Sequence, residues 1–185
     1  MKILYTTASH LGGTGISNVS FHASKAIYEA GYLDKVITYR NKQTLIPKSH
    51  IKRTIFQPAK IFSGLSSRYY YSMKRMWLDY RASQYLESHQ VDIVHAWTHE
   101  CLRTIRVAKK NGVLSILDRG YSHPRFSKKI LDEEFDIYGV KRNLEKCPQW
   151  LSPFDHWRRE LEEACEEFDQ VDYIYVNSDL SLIHI

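Results

Sequence analysis

The chain opens as a strand, a glycine-rich turn and a helix. Met1-Lys2-Ile3-Leu4-Tyr5 is an apolar run, Gly12-Gly13-Thr14-Gly15 follows it, and a helix-period segment ends at Gly31. Such a unit places backbone N–H groups and a helix N-terminus where a phosphate or a sugar hydroxyl can bind. The glycines supply positive φ and close approach to a ligand, so Gly13 is expected to tolerate no side chain. In the helix, Ile16, Val19, Ala23, Ala26, Ile27 and Ala30 recur at the steps that predict one apolar face, with Gly31 closing its C-terminus. The turn is not G-x-G-x-x-G, and no P-loop Lys-Ser/Thr follows, which argues against a dinucleotide-dependent dehydrogenase or a P-loop nucleotidase. A tight strand-to-helix connection that holds no ligand is the plainer alternative.

Alternation continues beyond this unit. Strands are predicted at Lys35–Tyr39, Asp92–Ala96, Val113–Leu117 and Tyr173–Val176, separated by helical patterns at Tyr69–His89, Cys101–Lys110 and Phe154–Phe168. In the last helix Phe154, Trp157, Leu161, Ala164, Cys165 and Phe168 form an apolar stripe, and Glu160, Glu162, Glu163, Glu166 and Glu167 read as a solvated face. Alternation of this kind predicts a mostly parallel sheet covered by helices on both faces, with one core for 185 residues that are 43% hydrophobic and 25% charged. No stretch approaches the roughly 20 apolar residues of a membrane span, and the opening strand leaves no room for a secretory leader, so a cytoplasmic location is expected. Cys101, Cys147 and Cys165 lack metal or disulfide spacing and read as reduced structural thiols.

In open parallel sheets, ligands sit beyond the carboxyl ends of the strands. Ser9, His10 and the glycine turn are expected after the first strand, and Trp97, Thr98, His99 and Glu100 after the strand ending near Ala96. Asp118-Arg119-Gly120-Tyr121-Ser122-His123-Pro124-Arg125 is expected after Leu117. Three strand ends therefore carry histidine, against the plainer possibility of ordinary hydrogen-bonded loop residues. His95, inside its strand, reads as buried and satisfied.

Lys2-Ile3-Leu4-Tyr5, Gly12-Gly13-Thr14-Gly15 with its helix, Val91-Asp92-Ile93-Val94-His95-Ala96, Asp118-Arg119-Gly120-Tyr121-Ser122-His123 and Asp172-Tyr173-Ile174-Tyr175-Val176-Asn177-Ser178 resemble, in order and spacing, the N-terminal half of the family 4 GT-B glycosyltransferases. The resemblance implies a Rossmann-like α/β domain, residues 1–179, that binds the acceptor across a cleft from a donor-binding domain not represented here. It implies retaining sugar transfer from a nucleotide diphosphate-sugar, without a metal and without a tightly bound cofactor, in surface polysaccharide or glycolipid synthesis. The diphosphate would lie on Gly12, Gly13, Thr14 and Gly15. His123 or Arg119 would be catalytic, because the family's histidine sits nearer the strand end than His123 does. His10, His99, Asp118 and Arg125 would meet a sugar or lipid-linked acceptor. Residues 180–185, Leu-Ser-Leu-Ile-His-Ile, match the translated mosaic end of a sequencing-library transposon and are expected to be non-native.

A basic segment is the other functional feature. From Lys48 to Arg81 there are eight Lys/Arg and a single acid, Asp79, interleaved with Phe56, Phe62, Tyr69, Tyr70, Tyr71, Trp77 and Tyr80. Basic residues with aromatics suit an anionic membrane surface, met through Lys52, Arg53, Lys74 and Arg75 at the inner face of the membrane. No nucleic-acid motif accompanies them, and no nucleic acid is expected. A solvated surface, a stand-alone phosphate- or nucleotide-binding module, and a basic membrane-surface protein remain the alternatives.

Overall fold

The computed structural model describes residues 1–54, 67–120, 122–140, 149–150 and 156–176. In chain order the elements are β1 (Ile3–Leu11), α1 (Ile16–Glu29), β2 (Leu33–Asn41), a 3-10 turn (Lys48–His50), β3 (Ile51–Arg53), α2 (Ser67–Ser88), β4 (Ile93–Trp97), α3 (Leu102–Asn111), β5 (Leu114–Arg119), α4 (Pro124–Ile137), α5 (His156–Gln170) and β6 (Tyr173–Val176). Phe56, Phe62, Tyr121, Phe154, the side chains of Trp157 and Glu160, Asn177-Ser178 and the 180–185 tail lie outside the described residues.

The strands form one parallel sheet in the order β3-β2-β1-β4-β5-β6. Successive strand side chains point to opposite faces. Leu4 accordingly joins Ile37 and Val94 beneath Leu78, Ala82 and Tyr85 of α2. Tyr5 joins Val36 and Trp97 beneath Phe21, Ala23 and Ile27 of α1. Ala96 and Leu117 pack with Ile105 of α3 and Phe168 of α5. This is the expected α/β, Rossmann-like parallel sheet with helices on both faces.

The two V-D-x-[IV]-like segments earn their acids through the backbone. Asp92 Oδ2 accepts the Lys2 N–H at 2.6 Å, and Asp172 Oδ2 accepts the Ser115 N–H and hydroxyl at 2.7 and 2.8 Å. Each carboxylate thereby pins the start of its own strand to the start of a neighbour, and these bonds hold the Asp172 carboxyl below its usual range.

Several expectations need correction. β1 runs on to Leu11, so Ser9 and His10 are strand residues, and β5 runs through Asp118 and Arg119. The apolar face assigned to α1 is rotated: Ile16 and Val19 are 52% and 46% exposed, while Ser20 and Ser24 are buried. The serines can be buried because their hydroxyls are satisfied close at hand, Ser24 donating to the Ser20 carbonyl at 2.7 Å and Ser20 lying 3.2 Å from Thr7 Oγ1. A small hydroxyl lets α1 approach the sheet closely, a gain that hydrophobic periodicity does not register. Glu167, read as part of a solvated face, is 1% exposed. Sequence periodicity signals neither the edge strand β3 nor helix α4. α4 is built by local chemistry, with Pro124 in its first turn and the His123 ring accepting the Arg125 N–H at its N-cap.

Candidate functional site at the sheet switch point

The strand order reverses at β1. From β1 the chain leaves through α1 over one face, and from β4 it leaves through α3 over the other, which opens a crevice beyond the carboxyl ends of these two strands. A cavity of about 260 Å³ lies there, lined by Thr7, Ala8 and Ser9 of β1, Trp97, Thr98 and Glu100 at the end of β4, Ile16 of α1, and Tyr71, Lys74 and Arg75 of α2.

The glycine turn borders the crevice through the start of α1. Gly12 has φ 82° and donates its N–H to the Ser17 carbonyl at 3.3 Å; a Cβ there would meet Gln43 Cβ at 3.0 Å. Gly15 is the N-cap of α1 at φ 58°, ψ −135°, a conformation reserved in practice for glycine, and it supplies no side-chain cap. Gly13, by contrast, does not need positive φ. The exposed segment Gly13-Thr14-Gly15 thus leads into a helix start whose positive dipole end is not capped by a side chain.

Three carboxyls stand behind the crevice. Glu100 Oε1 accepts the Ala8 N–H at 2.7 Å, tying the end of β4 to β1. Burial pushes this carboxyl up to about 8, against the opposing pull of the Ala8 N–H and Arg75. Glu167 of α5 accepts the N–H groups of His99 and Cys101 at 2.7 and 3.1 Å and the Thr98 hydroxyl at 3.2 Å, and burial raises it to about 7. Asp79 of α2 accepts the N–H groups of Arg103 and Thr104 at 2.8 and 2.7 Å, capping α3 from a different helix; burial raises it to about 6. All three border a second cavity of about 350 Å³, which shares Arg75 and Glu100 with the first.

These carboxyls shape the β4–α3 turn. His99 adopts φ 69°, with its N–H held by Glu167 and its Nε2 lying 2.8 Å from Arg119 Nη1. A guanidinium only donates, so His99 Nε2 accepts and the imidazole is neutral. Arg119 is 2% exposed, donates to Thr98 Oγ1 at 3.3 Å and to the Ser122 carbonyl at 2.7 Å, and lies over the Phe168 ring.

The remaining sequence-derived candidates scatter. Asp118 is buried in a closed network: it accepts the Tyr5 hydroxyl at 3.3 Å, lies 3.0 Å from His95 Nε2, and Trp97 Nε1 donates to the same Tyr5 oxygen at 2.8 Å. His123 caps α4, its ring edge against Phe168, and burial together with Arg125 and Arg119 lowers its pKa. Arg125 lines a different depression with Glu162, Glu166 and Asp169 of α5. His10 is half-buried at the end of β1, held below its usual pKa by burial and by Lys74, Lys42 and Arg40.

The four basic residues assigned to a membrane surface divide into two groups. Lys74 and Arg75 turn toward the crevice. Lys52 sits 4.9 Å over the Tyr85 ring and feels Arg81 and Lys35, while exposed Arg53 borders a separate depression with Asn41, Lys48 and Ile51. Sequence reasoning placed Glu100 among the strand-end residues but missed Asp79 as a site-building group. For Glu167 a signal existed, since it falls three residues after Ala164 on the apolar stripe.

Among the described residues no helix is long and apolar enough to cross a membrane, and no group of three or more His, Cys, Asp or Glu is placed to hold a metal ion. No protein-family model and no curated protein matches the chain. Among solved structures, it is similar to a UGT transferase from Siraitia grosvenorii in complex with UDP, at 16% identity and a TM-score of 0.43, over 96% of this chain and 44% of the other. The chain spans 44% of that protein's length.

Proposed function

We propose that the chain is the acceptor-side half of a nucleotide-sugar-dependent glycosyltransferase of the GT-B type, acting with retention and without a metal in surface polysaccharide or glycolipid synthesis. The observation that carries this reading is the crevice at the β1/β4 switch point, lined by Ile16 at the start of α1, where the glycine turn leads into a helix with no side-chain cap. When a sugar leaves its nucleoside diphosphate, negative charge grows on the leaving group. The N–H groups of Gly13, Thr14 and Gly15 and the positive end of α1 are suited to offset that charge. The acceptor occupies the cavity, with Ser9 and Thr98 as hydroxyl partners and the exposed Tyr71 ring as a face for a sugar to stack on, while His10 follows Ser9 at the end of β1.

In this reading Arg119 is a positioning residue, because it holds the His99 ring and the β4–α3 turn in place. His123 orders the start of α4 and acts on the site through that helix. The donor nucleotide and sugar are bound chiefly by a second domain. Alone, the chain therefore leaves the reacting centre open to water and is expected to be inactive.

The test assays transfer from nucleotide diphosphate-sugars by the protein as its source encodes it, beside this chain alone. Transfer with retention at the anomeric carbon supports the reading. An inverted product, or turnover by the chain alone above a buffer control, overturns it.

A further inference from the structure

We propose that the mouth of the crevice, between the ends of β1 and β2 and the flank of α2, is a phosphate site that holds a phosphate or diphosphate group carried by the acceptor. The anion site stands without the glycosyltransferase reading; only its occupant's identity as the acceptor rests on it.

Two strands and a helix bring the cations together. Parallel pairing sets His10 beside Arg40, and the Lys42 N–H donates to the Leu11 carbonyl at 2.8 Å, so three basic side chains cluster where β1 and β2 end. From the other side α2 presents consecutive Lys74 and Arg75 to the cavity wall. Lys74 is fixed in place: its Nζ lies 4.5 Å from the centroid of the Tyr39 ring, and its carbonyl accepts the Tyr39 hydroxyl.

These groups act on one another. Burial, with Arg75 and Arg40, holds the Lys74 ammonium below its usual pKa against the opposing pull of Glu100, and burial with Lys74, Lys42 and Arg40 does the same to His10. Glu100 is the one carboxyl among the described residues lining the cavity, set against Lys74, Arg75, Arg40 and Lys42, so positive charge stays in excess. Lys74 and Arg75 line the recess and Arg40 and Lys42 stand exposed at the strand ends; cations gathered in this way repel one another, and a multiply charged anion relieves that repulsion. Phosphate suits the set: a guanidinium fork and an ammonium point charge are the donors that bind its oxygens best. The volume of about 260 Å³ admits a small phosphorylated group.

The experiment measures binding of inorganic pyrophosphate to the full chain by calorimetry, in the wild type and in two double variants. K74Q/R75Q removes the wall cations; R40Q/K42Q changes exposed strand-end residues, so its fold is secure. Matching circular dichroism spectra and thermal midpoints check both proteins. A loss of affinity of at least about tenfold in R40Q/K42Q and in folded K74Q/R75Q supports the site. No pyrophosphate binding, or wild-type affinity in R40Q/K42Q, overturns it.

Phosphatidylcholine vesicles with and without phosphatidic acid distinguish the sources. Capture by the anionic vesicles that pyrophosphate competes away assigns a lipid-carried phosphate. No capture, or capture that K52Q/R53Q abolishes and pyrophosphate leaves intact, assigns a soluble phosphorylated acceptor. Sugar transfer by the completed enzyme without pyrophosphate binding to this chain would remove the phosphate site and leave the proposed function standing.

Discussion

Glu100 Oε1 accepts the backbone N–H of Ala8 at 2.7 Å, so a group from the end of β4 fastens the end of β1 at the floor of the crevice. Its carboxyl stands at about 8 against an ordinary 4.5. An acid raised in the folded state binds more protons there than in the unfolded chain, so stability falls as pH rises between these two values. Glu167, raised to about 7, and Asp79, raised to about 6, add to the same trend over the lower part of this window. Thermal midpoints are therefore expected to drop by several degrees from about pH 6 to about pH 8.5. Glu100→Gln keeps an oxygen for Ala8 and cannot ionise, so its drop should be smaller; equal drops in the two proteins would show that Glu100 does not titrate there.

Asp79 holds the start of α3 from α2, with Oδ1 on Thr104 and Oδ2 on Arg103. Asp79→Ala leaves those N–H groups without their acceptor and should cost at least about 2 kcal/mol, or roughly 4–8 °C in midpoint. The loss should be local as well as global. Hydrogen exchange at the Arg103 and Thr104 amides should quicken most, and unchanged exchange there would contradict the capping role.

The glycines of the turn are not equivalent. Gly12 and Gly15 hold positive φ, and a Cβ on Gly12 would also press on Gln43. A Cβ on Gly13 would meet Ser17 Cβ at 3.2 Å, in an exposed segment that has room to give. Alanine at 12 or 15 is expected to cost about 1–3 kcal/mol, and alanine at 13 less than about 1 kcal/mol. Denaturant midpoints give the comparison, and an equal cost at all three positions would reject this account of the turn.

Arg119, His123 and Arg125 should separate by stability. Arg119→Ala removes the donor to His99 Nε2 and to the Ser122 carbonyl, at about 1–3 kcal/mol for each group that loses it, while the Thr98 hydroxyl keeps its bond to Glu167. Loss of the His123 cap should cost about 1 kcal/mol, and exposed Arg125→Ala should stay within about 0.5 kcal/mol. Any other order, measured by chemical denaturation, would reverse the roles assigned to these side chains.

Local chemistry was sufficient for the framework. The opening strand, the glycine turn, the helix ended by Asn111-Gly112 and the strands introduced by Asp92 and Asp172 all follow from short-range patterns, because backbone conformation and hydrophobic period are properties of neighbouring residues. What lay beyond sequence reach was partnership across the fold. Ser20 and Ser24 replaced Ile16 and Val19 as the buried face of α1: Ser24 is satisfied inside the helix by the Ser20 carbonyl, but the Ser20 hydroxyl meets Thr7 only once the helix lies on the sheet. Glu100 and Asp79 became site-building carboxyls because their partners lie 92 and 25 residues away. Lys74 and Arg75 left the expected membrane-facing row because α2 lays them across the crevice, while Lys52 and Arg53 follow β3 elsewhere. A residue's identity sets what bonds it can make, and the tertiary structure alone decides which partners come within the few ångströms over which those bonds act.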